Sequence, residues 1–175
     1  MDPQARFEAI FTAHYRDIHR FALRRTDPAE AEEVANEAFA VCWAKLDAVP
    51  DPPLPWLYAV ARKCLANRRR AAFRREGLGA RLRGAPSAGG RDPAEQFAER
   101  DAILRAFVRL SESDREALRL VAWERLSLAD AARAAGVSRP AFAMRVHRAR
   151  RRLAAHLREQ GAALDLDFPL EPLDA

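Results

Sequence analysis

Glycine is missing from the first 76 residues of this 175-residue chain, and only seven occur in all. No run of alternating apolar and polar residues bounded by turn residues appears either, so nothing reads as a β-sheet. Lysine is almost absent: apart from Lys45 and Lys63, every basic side chain is arginine. Cysteine is confined to Cys42 and Cys64, and His14, His19, His147 and His156 form no ligand-spaced cluster with them, so no metal site is expected. No apolar run approaches membrane-spanning length and no signal sequence opens the chain. The expectation is a soluble cytoplasmic protein without membrane insertion, its two thiols free. Phosphate-cradling loops, zinc-protease motifs and nucleophile–base signatures are lacking too, so no enzyme, catalytic residue or cofactor is expected.

What is present is helical periodicity, over a length suited to one or two small domains. Phe7, Phe11, His14, Ile18 and Phe21 share one face of a first helix that stops near Thr26. Asp27 is placed to cap a second helix, with Pro28 at its first position, running to about Leu46. Val34, Ala38, Val41 and Cys42 are its expected buried face, with Phe39 and Trp43 beside them. Asp47 to Pro55, "DAVPDPPLP", is a proline-dense loop. A third helix starts at Trp56, buries Leu57, Val60, Cys64 and Leu65, and turns basic through Arg75. Residues 77–92 hold five glycines and no apolar period, the composition of a flexible basic linker. Further helices are expected over about 93–110, 113–124, 128–135 and 138–159. Ser111 and Ser113 followed by Glu116 have capping-box spacing, and Ser127 is another cap. The prediction is an all-α chain of two small helical domains, 1–76 and 93–159. The acidic tail, 160–175, is either disordered or a mask for a basic face.

Charge is distributed in blocks. Residues 1–60 net −4, 61–91 net +9, 92–137 net −2, 138–160 net +6 and 161–175 net −4. Two basic blocks between acidic ones point to two separate contacts with a polyanion, and to acidic surfaces free to meet a basic protein. Arginine's planar fork suits phosphates and guanine edges, although a GC-rich genome also favours it.

The later basic block lies on helix-turn-helix spacing. Ala132 is small where two helices cross, Gly136 permits a left-handed turn residue, Val137 plugs the turn, and Phe142 and Val146 face inward. The apolar stripe continues through Ala149, Leu153 and Leu157, beneath a face of arginines fit for a major groove. The earlier block, "WLYAVARKCLANRRRAAFRR", mixes Trp56, Tyr58 and Phe73 with cations, as unstacked bases require, although Trp56 and Phe73 also suit ordinary packing.

In this order the segments resemble a bacterial extracytoplasmic-function sigma factor, the minimal class of the sigma-70 family. "FEAIFTAHYRDIHRFALRRT" resembles the first helix of sigma region 2, and "AEEVANEAFAVCWAKLD" the acidic, amide-bearing helix ending in Phe-x-x-x-Trp. "PLPWLYAVARKCLANRRRAAFRRE" resembles the helix that melts and reads the minus-ten element, and residues 110–153 resemble region 4. The resemblance implies that Glu33, Asn36 and Glu37 dock on the clamp helices of the polymerase β′ subunit. It implies that Trp56, Arg62, Lys63, Asn67, Arg68 and Arg69 bind the minus-ten strand, with the 47–55 loop gripping a flipped base. Ser138, Arg139, Arg145, Arg148 and Arg151 are implied to bind the minus-thirty-five element. Core RNA polymerase, through β′ clamp helices and β flap, promoter DNA and an anti-sigma factor are the implied partners. Departures from the family pattern at Glu33, Asn36, Ala38, Lys63, Asn67, Pro140, Ala141 and Ala143 leave the promoter sequence unreadable. The rival reading is a stand-alone helix-turn-helix regulator, which would have no use for the acidic helix and basic melting helix of residues 1–75.

Overall fold

The computed structural model describes residues 2–76 and 94–160. Among them are seven α-helices, one turn of 3-10 helix and no strand. They are α1 (Pro3–Leu23), α2 (Pro28–Ala44), the 3-10 turn Leu46–Ala48, α3 (Leu54–Glu76), α4 (Ala94–Val108), α5 (Glu112–Ala122), α6 (Leu128–Ala135) and α7 (Arg139–Glu159). The chain is all-α and divides into two compact units, residues 1–88 and 89–175. The expected linker, 77–92, and the expected tail beyond Gln160 lie outside the described residues.

In the first unit, carboxylates open the first two helices. Asp2 accepts from the Gln4 and Ala5 N–H groups, each at 3.4 Å. Asp27 Oδ1 accepts from the Glu30 N–H at 2.9 Å, with Pro28 in the first turn where a missing N–H costs nothing. Helices α1, α2 and α3 pack pairwise. Ala31, Ala35 and Ala38 are wholly buried, and side chains this small let α2 approach its neighbours closely. Ile18, Phe21, Val34 and Leu57 fill the space around them, each worth roughly 1.5–3 kcal/mol in burial.

Three details depart from expectation. Phe11 and Trp43 are 37% and 51% exposed, because Phe7, Phe11, Tyr15, Phe39 and Trp43 form a ladder of rings along the α1–α2 flank, with centroids 4.9 to 6.4 Å apart. Val41 and Val60 are half-buried, on flanks that a three-helix layer leaves uncovered. Helix α3 begins two residues before Trp56, where the Pro53 carbonyl accepts the Leu57 N–H at 3.0 Å.

In the second unit, α5, α6 and α7 pack together and α4 lies on α7. Ala106, Phe107, Leu110, Leu118, Ala149, Leu153 and Leu157 form one core cluster. Ser111 caps α5, its hydroxyl accepting from the Asp114 N–H at 3.2 Å. The third-position partner is therefore Asp114 rather than Glu116, and α5 opens at Glu112. Asp114 is buried, and its carboxylate accepts from Arg152 Nη1 of α7 at 2.5 Å. Helix α6 falls on the expected residues, with Ser127 accepting from the Asp130 N–H at 3.1 Å. Gly136 closes it at φ 69°, ψ 35°, conformational space that a Cβ disfavours. Its N–H reaches the Arg133 carbonyl at 3.1 Å and that of Val137 reaches Ala132 at 3.1 Å, the paired closure of a Schellman turn.

Candidate nucleic-acid interface

Helix α7 is seated by its apolar stripe. Phe142, Val146 and Ala149 have no exposed surface, and Leu153 and Leu157 extend the row. Ser138 caps the helix, accepting from the Ala141 N–H at 3.4 Å, which fixes the N-terminal turn that follows Gly136. Arg139, Arg148 and Arg151 are exposed and Arg145 is half-buried. Among the outward residues stands Met144, 58% exposed, which sequence reasoning passed over. Its spacing from Arg148 and Arg151, four and then three residues, is the signal that marks it. Arg152 looks equivalent to Arg151 in sequence but turns to Asp114.

Helix α3 carries the second set. Trp56 is half-buried, whereas Lys63 and Asn67 are exposed. Arg70 and Arg74 are also exposed and fall on the same helical stripe, so they join Lys63 and Asn67 although sequence reasoning did not name them as site residues. Arg70 Nη2 donates to Asn67 Oδ1 at 2.6 Å, fixing that amide. Arg62 and Arg69 lie on the flank, and Arg69 Nη2 donates to the Arg25 carbonyl at 3.3 Å. Arg68 points the other way, toward α2. Tyr58 is buried against Phe21, ring centroids 5.0 Å apart, and belongs to the core rather than to a stacking surface. The Phe73 side chain lies outside the described residues.

On α2, Glu33, Asn36 and Glu37 share one face, the first two exposed and the third half-buried. Tyr15 Oη donates to Asn36 Oδ1 at 3.4 Å. Arg68 donates from Nε to Glu37 Oε2 at 3.1 Å and from Nη1 to Glu33 Oε2. The acidic pair and one of the expected strand-binding arginines thus form a single cluster. Beneath it, burial pushes the Cys64 thiol up to about 11, and the neighbouring Glu37 carboxylate adds to the push.

The proline-dense loop borders a cavity of about 350 Å³ lined by Arg6, Ala9, Ile10, Pro50, Asp51 and Pro53. Its volume falls at the small end of ligand pockets. No group of three or more His, Cys, Asp or Glu among the described residues is placed to hold a metal ion. No helix among them is long and apolar enough to cross a membrane.

Comparison with known proteins matches residues 10–75 to the family model for Sigma-70 region 2 and residues 100–153 to that for Sigma-70, region 4. The chain is similar to the ECF RNA polymerase sigma factor SigL of Mycobacterium tuberculosis, with 30% identity over 162 residues, covering 90% of this chain and 92% of that protein. Its fold is similar to that of the sigma factor RpoE from Bartonella quintana, solved in complex with the anti-sigma factor NepR. That match has a TM-score of 0.68 at 22% identity, over 87% of this chain and 96% of the other.

Proposed function

Because the chain belongs to the sigma-70 family, in its extracytoplasmic-function class, and so directs promoter-specific initiation by core RNA polymerase, we propose how its residues divide that task. The first unit docks on polymerase through Glu33, Asn36 and Glu37, an acidic face matched to a basic coiled coil on the β′ clamp. The outward stripe of α3 follows the opened strand: Lys63, Asn67, Arg70 and Arg74 track the backbone, Arg62 and Arg69 flank it, and Trp56 offers a ring edge. Arg68 joins them once the docking partner takes over its carboxylates. The cavity beside the 47–55 loop receives one unstacked base.

The second unit places α7 in the major groove of upstream duplex, its other surface meeting the β flap. Ser138 and Arg139 sit at the helix start, and Arg145, Arg148 and Arg151 reach phosphates and base edges. Met144 gives an apolar contact suited to a thymine methyl. A first domain of residues 1–76 and a second of 93–159 are tied by 77–92, so that each contact raises the effective concentration of the other. The chain works in the cytoplasm, supplies no chemistry of its own and is held in check by an anti-sigma partner.

The observation that carries this reading is the presence of two arginine-rich outward helix faces in two separate units, one of them beside an acidic face. The experiment is run-off transcription on genomic fragments with purified core polymerase. Promoter-dependent initiation that requires the chain is the expected result. Tight binding to duplex DNA by the chain alone, with no initiation, would instead establish a stand-alone regulator.

A further inference from the structure

The four prolines at 50, 52, 53 and 55 deprive the 47–55 loop of backbone donors, so the loop has little means of holding its own shape. Its carbonyls must find donors elsewhere: that of Pro53 accepts the Leu57 N–H, and that of Leu46, just before the loop, accepts the Val49 N–H at 3.2 Å. One side chain from a distant part of the chain adds two further donors at the loop's start. Arg6, in the first turns of α1, donates from Nη1 to the Leu46 carbonyl at 2.9 Å and from Nη2 to the Val49 carbonyl at 2.8 Å. The two acceptors bracket the 3-10 turn, and their side chains, Leu46 and Val49, are buried. Arg6 also lines the cavity with Ala9, Ile10, Pro50, Asp51 and Pro53. A planar fork can bridge two carbonyls in this way, whereas a lysine ammonium has no fixed fork geometry.

We propose that Arg6 is a positioning residue for base capture: it holds the 46–49 turn against α1, and so sets the shape of the pocket that reads one base of the opened strand. This rests on the reading of the 47–55 loop as a base pocket. Arg6 lies outside the docking face and the α3 stripe, and the two hydrogen bonds it makes to backbone carbonyls fix the turn, so the effect assigned to it here is through geometry. Its loss therefore blurs selection at a single base position and leaves the rest of the strand contact intact.

The test uses holoenzyme reconstituted from the full chain and core polymerase, presented with fork-junction DNA whose single-stranded segment is randomised. Bound molecules are sequenced to give a base preference at each position. Wild type, Arg6→Ala, Arg6→Lys and a Pro50→Gly/Pro53→Gly loop variant are compared, with holoenzyme formation reporting that each is folded. The expected result is that Arg6→Ala and the loop variant flatten the same one position, the best-to-worst base ratio there falling roughly tenfold while neighbouring positions keep theirs. Arg6→Lys recovers part of that ratio. An even weakening at all positions by Arg6→Ala would show a merely structural role and overturn the proposal. If the loop variant flattens a position that Arg6→Ala leaves sharp, the role of Arg6 is refuted and the base pocket stands. If the loop variant flattens none, the base-pocket reading fails and takes the proposal with it.

Discussion

Arg68 on α3 and Glu37 on α2 are joined at 3.1 Å, Nε to Oε2, across the seam between the two helices, and the same guanidinium also reaches Glu33. Glu33 is 63% exposed, Glu37 41% and Arg68 31%, so the cluster is solvated and worth at most about 1 kcal/mol per pair. A basic partner can therefore displace Arg68 from the carboxylates at little cost. If polymerase docks on this face of α2 as proposed, docking and release of Arg68 toward DNA become parts of one exchange.

That exchange sets the first expectation. Glu37→Lys places a cation against Arg68 and should abolish holoenzyme formation, whereas Glu37→Gln should weaken it by about tenfold, since each close charge pair is worth one to a few kcal/mol. A double-mutant cycle of Glu33→Gln with Arg68→Gln, read by chemical unfolding of the free protein, should give a coupling of about 0.5–1 kcal/mol. Undiminished polymerase binding by Glu37→Lys would remove Glu37 from the docking face.

Neighbouring arginines on α7 should behave in opposite ways. Arg152 pairs with the buried Asp114 carboxylate, which also lies in the capped first turn of α5, so its loss strands a charge in the core. Arg152→Ala should cost about 1–3 kcal/mol in unfolding free energy, below the range for a fully buried pair because Arg152 itself is 57% exposed. Arg151→Ala should leave stability unchanged within about 0.5 kcal/mol and weaken duplex binding instead. Equal stability losses in the two variants would show that the Asp114 contact anchors nothing.

These two arginines also show how far the sequence could be read. Capping chemistry is local and was legible: Asp27 with Pro28, Ser127 and Gly136 all stand where residue type required. The buried stripe of α7 was legible for the same reason, a period of three and four residues. Partner choice between helices was not. Arg68 sits within a run of three arginines and reads as one more strand contact, yet it lies four residues after the buried Cys64, on the side facing α2. Arg6 carried no signal at all, because its acceptors are backbone atoms 40 and 43 residues away. Asp114 was hidden behind a plausible cap partner, Glu116.

The Cys64 thiol gives a pH expectation. Its folded value of about 11 lies above the ordinary value of 9.0, so above pH 9 the folded chain holds a proton that the unfolded chain gives up. Stability should therefore fall as pH rises from about 9 to 11, and be unaffected by this group below that window. Cys64→Ser or Cys64→Ala should make that part of the unfolding-versus-pH curve less steep, leaving the share due to Cys42, whose thiol burial also pushes up. In the native protein, Cys64 should resist alkylation at pH 8 until the chain is unfolded, because the thiolate is the reactive form.

Arg145 tests the separation of tasks between the units. It is half-buried on α7, whereas Arg148 and Arg151 are exposed. A side chain so placed suits a base edge more than a mobile phosphate contact. Arg145→Ala should lower affinity for the upstream element by about 1–3 kcal/mol and relax base preference at one position, with little change in salt dependence. Arg148→Ala should weaken binding evenly across sequences and reduce the slope of log affinity against log salt by about one. Titrations with upstream duplexes over a range of salt separate the two patterns. In both variants, binding to core polymerase should stay at the wild-type value, because neither arginine belongs to the docking face proposed on α2 or to the surface proposed to meet the β flap. A loss of core binding as large as the loss of upstream recognition would break that division, and would place the arginine face of α7 in the polymerase interface instead.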